Sequence, residues 1–418
     1  MPEDNKNLHD VCVVGLGYIG LPTALVLATS GIRVHGVDIN KTVVKQLSSG
    51  KVAINEPGIQ ELLAEALGSE QFSVSETPRR SRVHIVAVPT PLGENKSADL
   101  SFVFDAVDSI IPTLRGGELI ILESTCPPGT TSLVAEHVDR SRPDLTLSPH
   151  ATNSIYVAHC PERVIPGKTL HELRSNSRII GGINQQSSLL ARDLYFKFCD
   201  GELVLTDSTT AELTKLAENS FRDLNIAFAN ELSDIAQSLG INVWEVIHLA
   251  NRHPRVQILN PGPGVGGHCI AVDPWFIHQS APEQSPMIKL ARELNDARPK
   301  KLMKRIKESV ESLTGPRICA LGLSFKANVG DLRESPAVEI VKELAKALPD
   351  SKIDVVEPNV SVLPASLIAH NHISLTPVPV DWSTYDAVVV LTDHDSFKDV
   401  KMPDIDPNSI FDTRGLWN

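Results

Sequence analysis

The segment from Val11 to Asp38 constrains the fold of this chain more than any other. Val11-Cys12-Val13-Val14-Gly15 is an apolar run that reads as a buried strand. Gly15-Leu16-Gly17-Tyr18-Ile19-Gly20 opens a helix through Ser30, and Arg33-Val34-His35-Gly36-Val37-Asp38 reads as the next strand. The glycines have separate jobs in such a unit. The first, Gly15, makes the tight turn, Gly17 lets a pyrophosphate approach the backbone, and Gly20 lets helix pack on strand. The helix amino end attracts phosphate, and an acid 18 residues after the last glycine, Asp38, suits the adenosine ribose hydroxyls. The unit predicts dinucleotide binding and favours NAD over NADP; an exposed turn acid is the plainer reading of Asp38 taken alone.

Two further strands leave through polar, Pro-rich exits. Val83–Val88 runs into Pro89-Thr90-Pro91, and Leu119–Thr125 runs into Cys126-Pro127-Pro128-Gly129. Ligands of open α/β sheets lie beyond the carboxyl ends of strands, so both exits are candidates to line the cofactor. Tyr156 to Gly167 is another shaped segment, where Glu162 beside a proline reads as a base, a water-orienting group or a surface acid. Asn176–Gly182 starts a further strand, and Leu190–Cys199 reads as a helix ending near Gly201. This alternation predicts a mostly parallel sheet.

The grammar changes after Gly201. Thr209-Thr210-Ala211-Glu212 reads as a capping box. Helical spacing then persists to about Leu239 and stops at Gly240, roughly 45 Å at 1.5 Å per residue. A helix this long spans domains or joins a partner subunit. Lys215 and Asn219 lie four apart and share a face. An ammonium and an amide there suit a developing oxyanion, against the commoner case of a solvated lysine. A second helix, Val243–Ala250, leads into Asn251-Arg252-His253-Pro254-Arg255, whose charges suggest an anionic partner.

Next comes Asn260-Pro261-Gly262-Pro263-Gly264-Val265-Gly266-Gly267-His268-Cys269, a run that forms neither a regular helix nor a central strand. It ends in a thiol with Asp273 four residues on. Cys269 is a candidate nucleophile if its surroundings lower its pKa, and an inert thiol otherwise. Ser285–Leu313 is helical again, with a bend expected at Pro299. Strand grammar restarts at Arg317 and continues through Ile353–Pro358, Asp386–Leu391 and Ile410–Thr413, with a helix capped by Ser335 and begun by Pro336. Lys326 and Arg333 sit in the link between the first of these strands and its helix, where a phosphate ligand meets such a sheet.

At 418 residues the chain exceeds one ordinary core. The expected fold is α/β: two Rossmann-like parallel-sheet domains joined by a long central helix and a helical middle domain. The boundaries fall at 1–201, 202–314 and 315–418. The composition, 42% apolar and 22% charged, is that of a globular chain. A formal charge of −12 argues against general nucleic-acid binding, although local arginines still serve an anionic small ligand. Six cysteines spread singly predict a reducing compartment without a disulfide framework. The polar stretch Met1–Asp10 predicts no signal peptide, no apolar run is long enough to span a membrane, and the chain is expected to be cytoplasmic.

The glycine loop, Lys215 on the long helix and Asp331-Leu332-Arg333-Glu334-Ser335 together resemble the UDP-glucose/GDP-mannose dehydrogenase family, from Val11 to Trp417. Asn251–Val256 followed by Pro261–Phe276 is similar to the signature of its UDP-N-acetyl-D-mannosamine dehydrogenases. Ala271 stands where many N-acetylglucosamine-oxidising members of that family carry proline. The resemblance implies a four-electron oxidation of a UDP-N-acetylhexosamine at C6 with two NAD, through a thiohemiacetal and thioester on Cys269. It implies that Lys215 and Asn219 steady the oxyanion and that Asp273 activates water and moves protons. Glu162 would act in thioester hydrolysis or as a base, and Thr125 would hold a water beside the cofactor. NAD contacts are implied at Gly15, Gly17, Tyr18, Ile19, Gly20, Asp38, Pro89, Thr90 and Thr125. Substrate contacts are implied at Arg163, Val164, Lys215, Asn219, Arg222, Arg252, His253, Arg255, Gly266, Lys326 and Arg333. Arg252 or Arg255 would reach across a homodimer built on the long helix, with pairing into tetramers left open.

Other readings remain. UDP-N-acetyl-D-glucosamine or UDP-glucose is the rival substrate, and a two-electron oxidation would release one NADH per sugar. A non-catalytic NAD-sensing protein would bind NAD without a sugar-dependent signal. No metal is expected, since no ligand pair has closed-site spacing. His253 and His268 read as loop or substrate residues.

Overall fold

A computed structural model describes residues 9–417 apart from 55, 94, 166, 268 and 380. The chain divides into two compact units, Met1–Glu218 with Gln279–Ala281, and Asn219–His278 with Pro282–Asn418.

The first unit is built on one sheet: β1 (His9–Val14), β2 (Val34–Val37), β3 (Phe72–Ser75), β4 (Ser81–Val86), β5 (Leu119–Leu122), β6 (Tyr156–His159), β7 (Arg178–Gly182) and β8 (Leu203–Asp207). Their spatial order is β3-β2-β1-β4-β5-β6-β7-β8. Only the β6–β7 pairing is antiparallel among the described strands. The helices are α1 (Gly20–Thr29), α2 (Lys41–Ser48), α3 (Ile59–Gly68), α4 (Ser101–Ile110), α5 (Thr130–Ser141), α6 (Thr169–Ser175) and α7 (Gln185–Tyr195). Side chains alternate across a strand, and β1 shows it: Val11 and Val13 join one core with α1 and α3, while Cys12 and Val14 join another with α4 and α5. Both faces are therefore covered, as a parallel sheet requires.

Two expectations need correction here. Leu203–Asp207 is a strand paired with β7, although reading along the chain assigned it to the helical middle. Its pairing partners, Arg178–Gly182, are distant in sequence, so no local signal announces it. The helix expected at Leu190–Cys199 is α7, which starts earlier and ends at Tyr195. Asn184 caps it by accepting from the Ser187 amide.

Helix α8 (Ser208–Leu239) begins in the first unit and ends in the second. Because β7 and β8 run against β6, β8 finishes at the opposite sheet edge. The first turns of α8 then run back toward the edge where β5 and β6 end. The predicted capping box does not form. Asp207 caps the helix, accepting from the Thr210 amide at 2.9 Å and its hydroxyl at 2.6 Å, and Glu212 is used elsewhere.

After α8 come α9 (Val243–Ala250), α10 (Asp273–Ser280) and α11 (Pro286–Val310), which runs through Pro299. A parallel sheet follows, made of β9 (Arg317–Leu321), β10 (Lys352–Val356), β11 (Ile373–Leu375), β12 (Ala387–Val390) and β13 (Ile410–Asp412), ordered β11-β10-β9-β12-β13. Helix α12 (Pro336–Ala347) starts as predicted, with the Ser335 side chain accepting from the Ala337 amide. Leu302, Ile306 and Val310 of α11 pack with α12 on one face of this sheet. No helix among the described residues is long and apolar enough to cross a membrane.

Candidate active site

Strands β1, β2, β4, β5 and β6 are parallel, so their carboxyl ends share one edge of the first unit. The strand order reverses between β1 and β4, which opens a crevice at that edge. Gly15 turns there with φ +93°, and a Cβ on it would lie 2.4 Å from the Ala87 carbonyl oxygen. A Cβ on Gly20 would meet the Gly15 carbonyl at 1.9 Å, whereas one on Gly17 would meet nothing within 4 Å. The three glycines thus divide into one turn, one helix contact and one open backbone face, the arrangement a pyrophosphate needs. Asp38, at the end of β2, accepts from the Leu16 amide at 3.0 Å and the Asn40 amide at 2.8 Å. Ile39 beside it is 85% exposed, an apolar surface next to that carboxylate that pattern reading missed. Tyr18 and Ile19 lie half-buried in the same turn. These residues fit NAD.

The exits of β4 and β5 are tied together. Thr90 Oγ1 donates to the Thr125 carbonyl at 2.6 Å, and the Val88 amide donates to Ser124 Oγ at 2.9 Å. Thr125 and Thr90 are half-buried and Pro89 is exposed. Past β6, the Glu162 carboxylate accepts from the Val164 amide. Burial pushes its pKa above the usual carboxylate range, with the Lys215 charge and that amide pulling it back. Arg163 is held by Glu218 at 2.6 Å and donates to the Ser177 carbonyl at 3.0 Å. Lys215 is buried on α8.

Behind these groups Cys126, His159 and Glu212 place one potential ligand atom each within 4.8 Å of the others. The Glu212 oxygens already accept from the Gly129 and Thr131 amides and the Thr131 hydroxyl. Those donors form the positive end of α5, an unfavourable place for a cation. Burial lowers His159 to about 3 and raises Cys160 to about 11, so neither carries charge near neutral pH.

In the second unit the thiol loop is gripped at its base. Asn230 Oδ1 accepts from the Gly262 amide at 2.9 Å, and Arg298 Nε donates to the Gly262 carbonyl at 3.2 Å. A Cβ on Gly266 would lie 2.6 Å from the Glu334 carbonyl, so the 325–336 link runs directly against the loop. Cys269 is exposed, and the other five cysteines are buried. The Cys269 carbonyl accepts from the Val272 amide at 3.0 Å and the Asp273 amide at 2.9 Å, starting α10. Asp273 is buried and accepts from Asn219 Nδ2 at 2.6 Å. His268 lies outside the described residues. Arg222, Arg252, His253, Arg255, Lys326 and Arg333 are exposed; Arg333 pairs with Asp331 at 2.6 Å. Asn230, Arg298 and Glu218 escaped sequence reasoning, which gives Glu212 only the part of a local cap. The available signal was the placement of two acids three residues either side of Lys215.

Fold and site define a dinucleotide-binding α/β oxidoreductase with a second nucleotide-type sheet. Three models of the UDP-glucose/GDP-mannose dehydrogenase family match the chain: its NAD binding domain at residues 9–199, its central domain at 209–297 and its UDP binding domain at 319–418. The chain belongs to that family and is an NAD-dependent enzyme. It is 48% identical over 400 residues to a UDP-N-acetyl-D-mannosamine dehydrogenase of Campylobacter jejuni, covering 95% of this chain and 98% of the relative. It is 47% identical over 415 residues to an NDP-N-acetyl-D-galactosaminuronic acid dehydrogenase of Ralstonia nicotianae, covering 99% and 97%. The solved UDP-D-ManNAc dehydrogenase of Pyrococcus horikoshii superposes with a TM-score of 0.83 at 36% identity, covering 98% of this chain and 96% of that one.

Proposed function

We propose that this enzyme oxidises the C6 alcohol of UDP-N-acetyl-D-mannosamine to the carboxylate in two steps, through a thioester on Cys269. The observation that carries the reading is the joined set of Asn219, Asp273 and the Cys269 backbone, which puts an amide donor and a buried carboxylate at the root of an exposed thiol.

Two molecules of NAD, bound one after the other, would each accept one hydride. Cys269 Sγ adds to the intermediate aldehyde, and the resulting sp³ carbon presents the C–H bond that the second oxidation needs. Removal of that hydride leaves a thioester, which water cleaves to the acid. Lys215 and Asn219, one helical turn apart on α8, donate to the oxygen as its charge develops. Asp273 and Glu162 move protons, and the raised pKa of Glu162 suits that exchange. Thr125 positions water beside the cofactor. Arg163, Val164, Arg222 and His253, with Gly266 of the loop, line the sugar nucleotide, and exposed Lys326 and Arg333 meet its diphosphate. Phe221, Phe228 and Ile235, spaced by seven on the exposed face of α8, support a homodimer in which Arg252 or Arg255 reaches the neighbouring site.

The near-full-length likeness to the Ralstonia relative supports a second reading in which the sugar is the N-acetyl-D-galactosamine epimer. NADH yield per mole of UDP-N-acetylmannosamine, UDP-N-acetylgalactosamine and UDP-N-acetylglucosamine separates the readings. Two NADH from the manno epimer at the highest kcat/KM is expected. One NADH per sugar rules out the thioester route, and preference for another epimer reassigns the substrate.

A further inference from the structure

Lys215 stands between two acids of α8, Glu212 and Glu218, each three residues away. Residues at that spacing are neighbours on a helix surface, so all three project from one side. Each acid reaches a different loop. Helix α5 starts after Gly129, which adopts φ +95° and supplies no side-chain cap. Its first amides would lack partners. Fully buried Glu212 supplies them, accepting from the Gly129 amide at 2.5 Å, the Thr131 amide at 2.7 Å and the Thr131 hydroxyl at 2.6 Å. The turn it holds is the one that carries Thr125. On the other side, Glu218 takes Arg163 in a two-pronged pair, Nε at 3.1 Å and a terminal nitrogen at 2.6 Å. That loop carries Glu162. A forked arginine–carboxylate pair fixes orientation as well as distance.

We propose that Glu212 and Glu218 are positioning residues for the reaction, clamping the Thr125 turn and the Glu162 loop onto the turn of α8 that carries Lys215. Neither acid meets substrate; each acts through the loop it holds. The inference rests on the reading of Lys215, Thr125 and Glu162 as reaction residues. Small misplacements of such groups cost turnover far more than affinity: a shift of about 1 Å lowers rate roughly 100-fold. The clamp therefore shows in kcat.

The test measures kcat, both KM values and thermal stability of the full-length enzyme. Thr131→Val keeps the shape of the side chain but removes the hydroxyl donor. It should lower kcat about 3- to 10-fold with KM values within about twofold, and Thr131→Ser should restore it. Glu212→Gln should lower kcat further, by about 30-fold or more. Glu218→Gln, which keeps the shape of the side chain but loses the charge that holds the Arg163 fork, should lower kcat about 3- to 10-fold with KM values within about twofold. The inference is overturned if Thr131→Val and Glu218→Gln keep kcat within about twofold, or if the loss falls on KM alone. Lys215→Ala and Thr125→Ala serve as controls. Full turnover in both removes the reading of the site itself, whereas their loss beside intact clamp variants removes only the clamp.

Discussion

Asn219 Nδ2 donates to Asp273 Oδ2 at 2.6 Å, joining the long helix to the first residue of the helix that follows the thiol loop. Asn219→Asp would set a second carboxyl against a buried one, and two such groups cannot both ionise easily. One pKa of the pair must rise. In this variant kcat at pH 7 should fall at least about tenfold, and the acid limb of the kcat–pH profile should move to higher pH. An unmoved profile would show that the pair has no part in turnover.

The thioester route makes the sulfur indispensable to the second oxidation. Cys269→Ser should lower steady-state formation of the acid by roughly 1000-fold while leaving NAD binding intact. Product analysis by mass spectrometry checks it. Full conversion to the uronate by the variant would eliminate the route.

Two glycines of one turn should respond differently to the same change. A methyl on Gly20 meets the Gly15 carbonyl at 1.9 Å, so Gly20→Ala should cost about 2 kcal/mol or more in denaturant unfolding. A methyl on Gly17 meets no protein atom within 4 Å. Gly17→Ala should stay within about 1 kcal/mol of the parent in stability but raise the KM for NAD at least about tenfold, because the methyl takes the space of the pyrophosphate. Equal effects on stability would contradict the division of labour within the turn.

His84, fully buried in β4, is held down to about 3 by burial. Unfolding returns it to an ordinary imidazole near pH 6.5, so the unfolded chain binds the extra proton between these values. The stability that this group contributes is present above about pH 6.5 and is lost as pH falls toward 3. His84→Leu should remove roughly 1.4 kcal/mol per pH unit from the acid slope of unfolding stability in that window. Urea titrations at several pH values measure the slope, and an identical slope in parent and variant would refute the assignment.

Phe221 is 72% exposed and Phe228 47% exposed on α8. If a second copy covers this face, Phe221→Asp with Phe228→Glu should convert the dimer to monomer and lower turnover together. Light scattering coupled to size exclusion reports the mass. A monomeric parent enzyme, or a dimer untouched by the double change, would place the interface elsewhere.

What could be read directly from the chain is what local chemistry decides. The β1–α1–β2 unit follows from apolar runs and glycines whose constraints act within a few residues, and Asp38 takes its place at the end of β2 by simple succession. The limits of α8 follow from unbroken helical spacing up to Gly240, whose φ of +67° ends it. Lys215 and Asn219 fall on one face because the helix period puts them there. Tertiary structure decided everything that depends on partners distant in sequence. Glu212 has the spacing of a local capping box, yet it caps α5, some 80 positions earlier, because burying α8 against the first sheet leaves those amides no water. Leu203–Asp207 becomes a strand only because β7 offers it an edge, and Gly262 is pinned only because Asn230 and Arg298 arrive from two other helices. A hydrogen bond that closes a long loop leaves no periodicity in the residues it joins, so it exists for the reader only once the chain has folded.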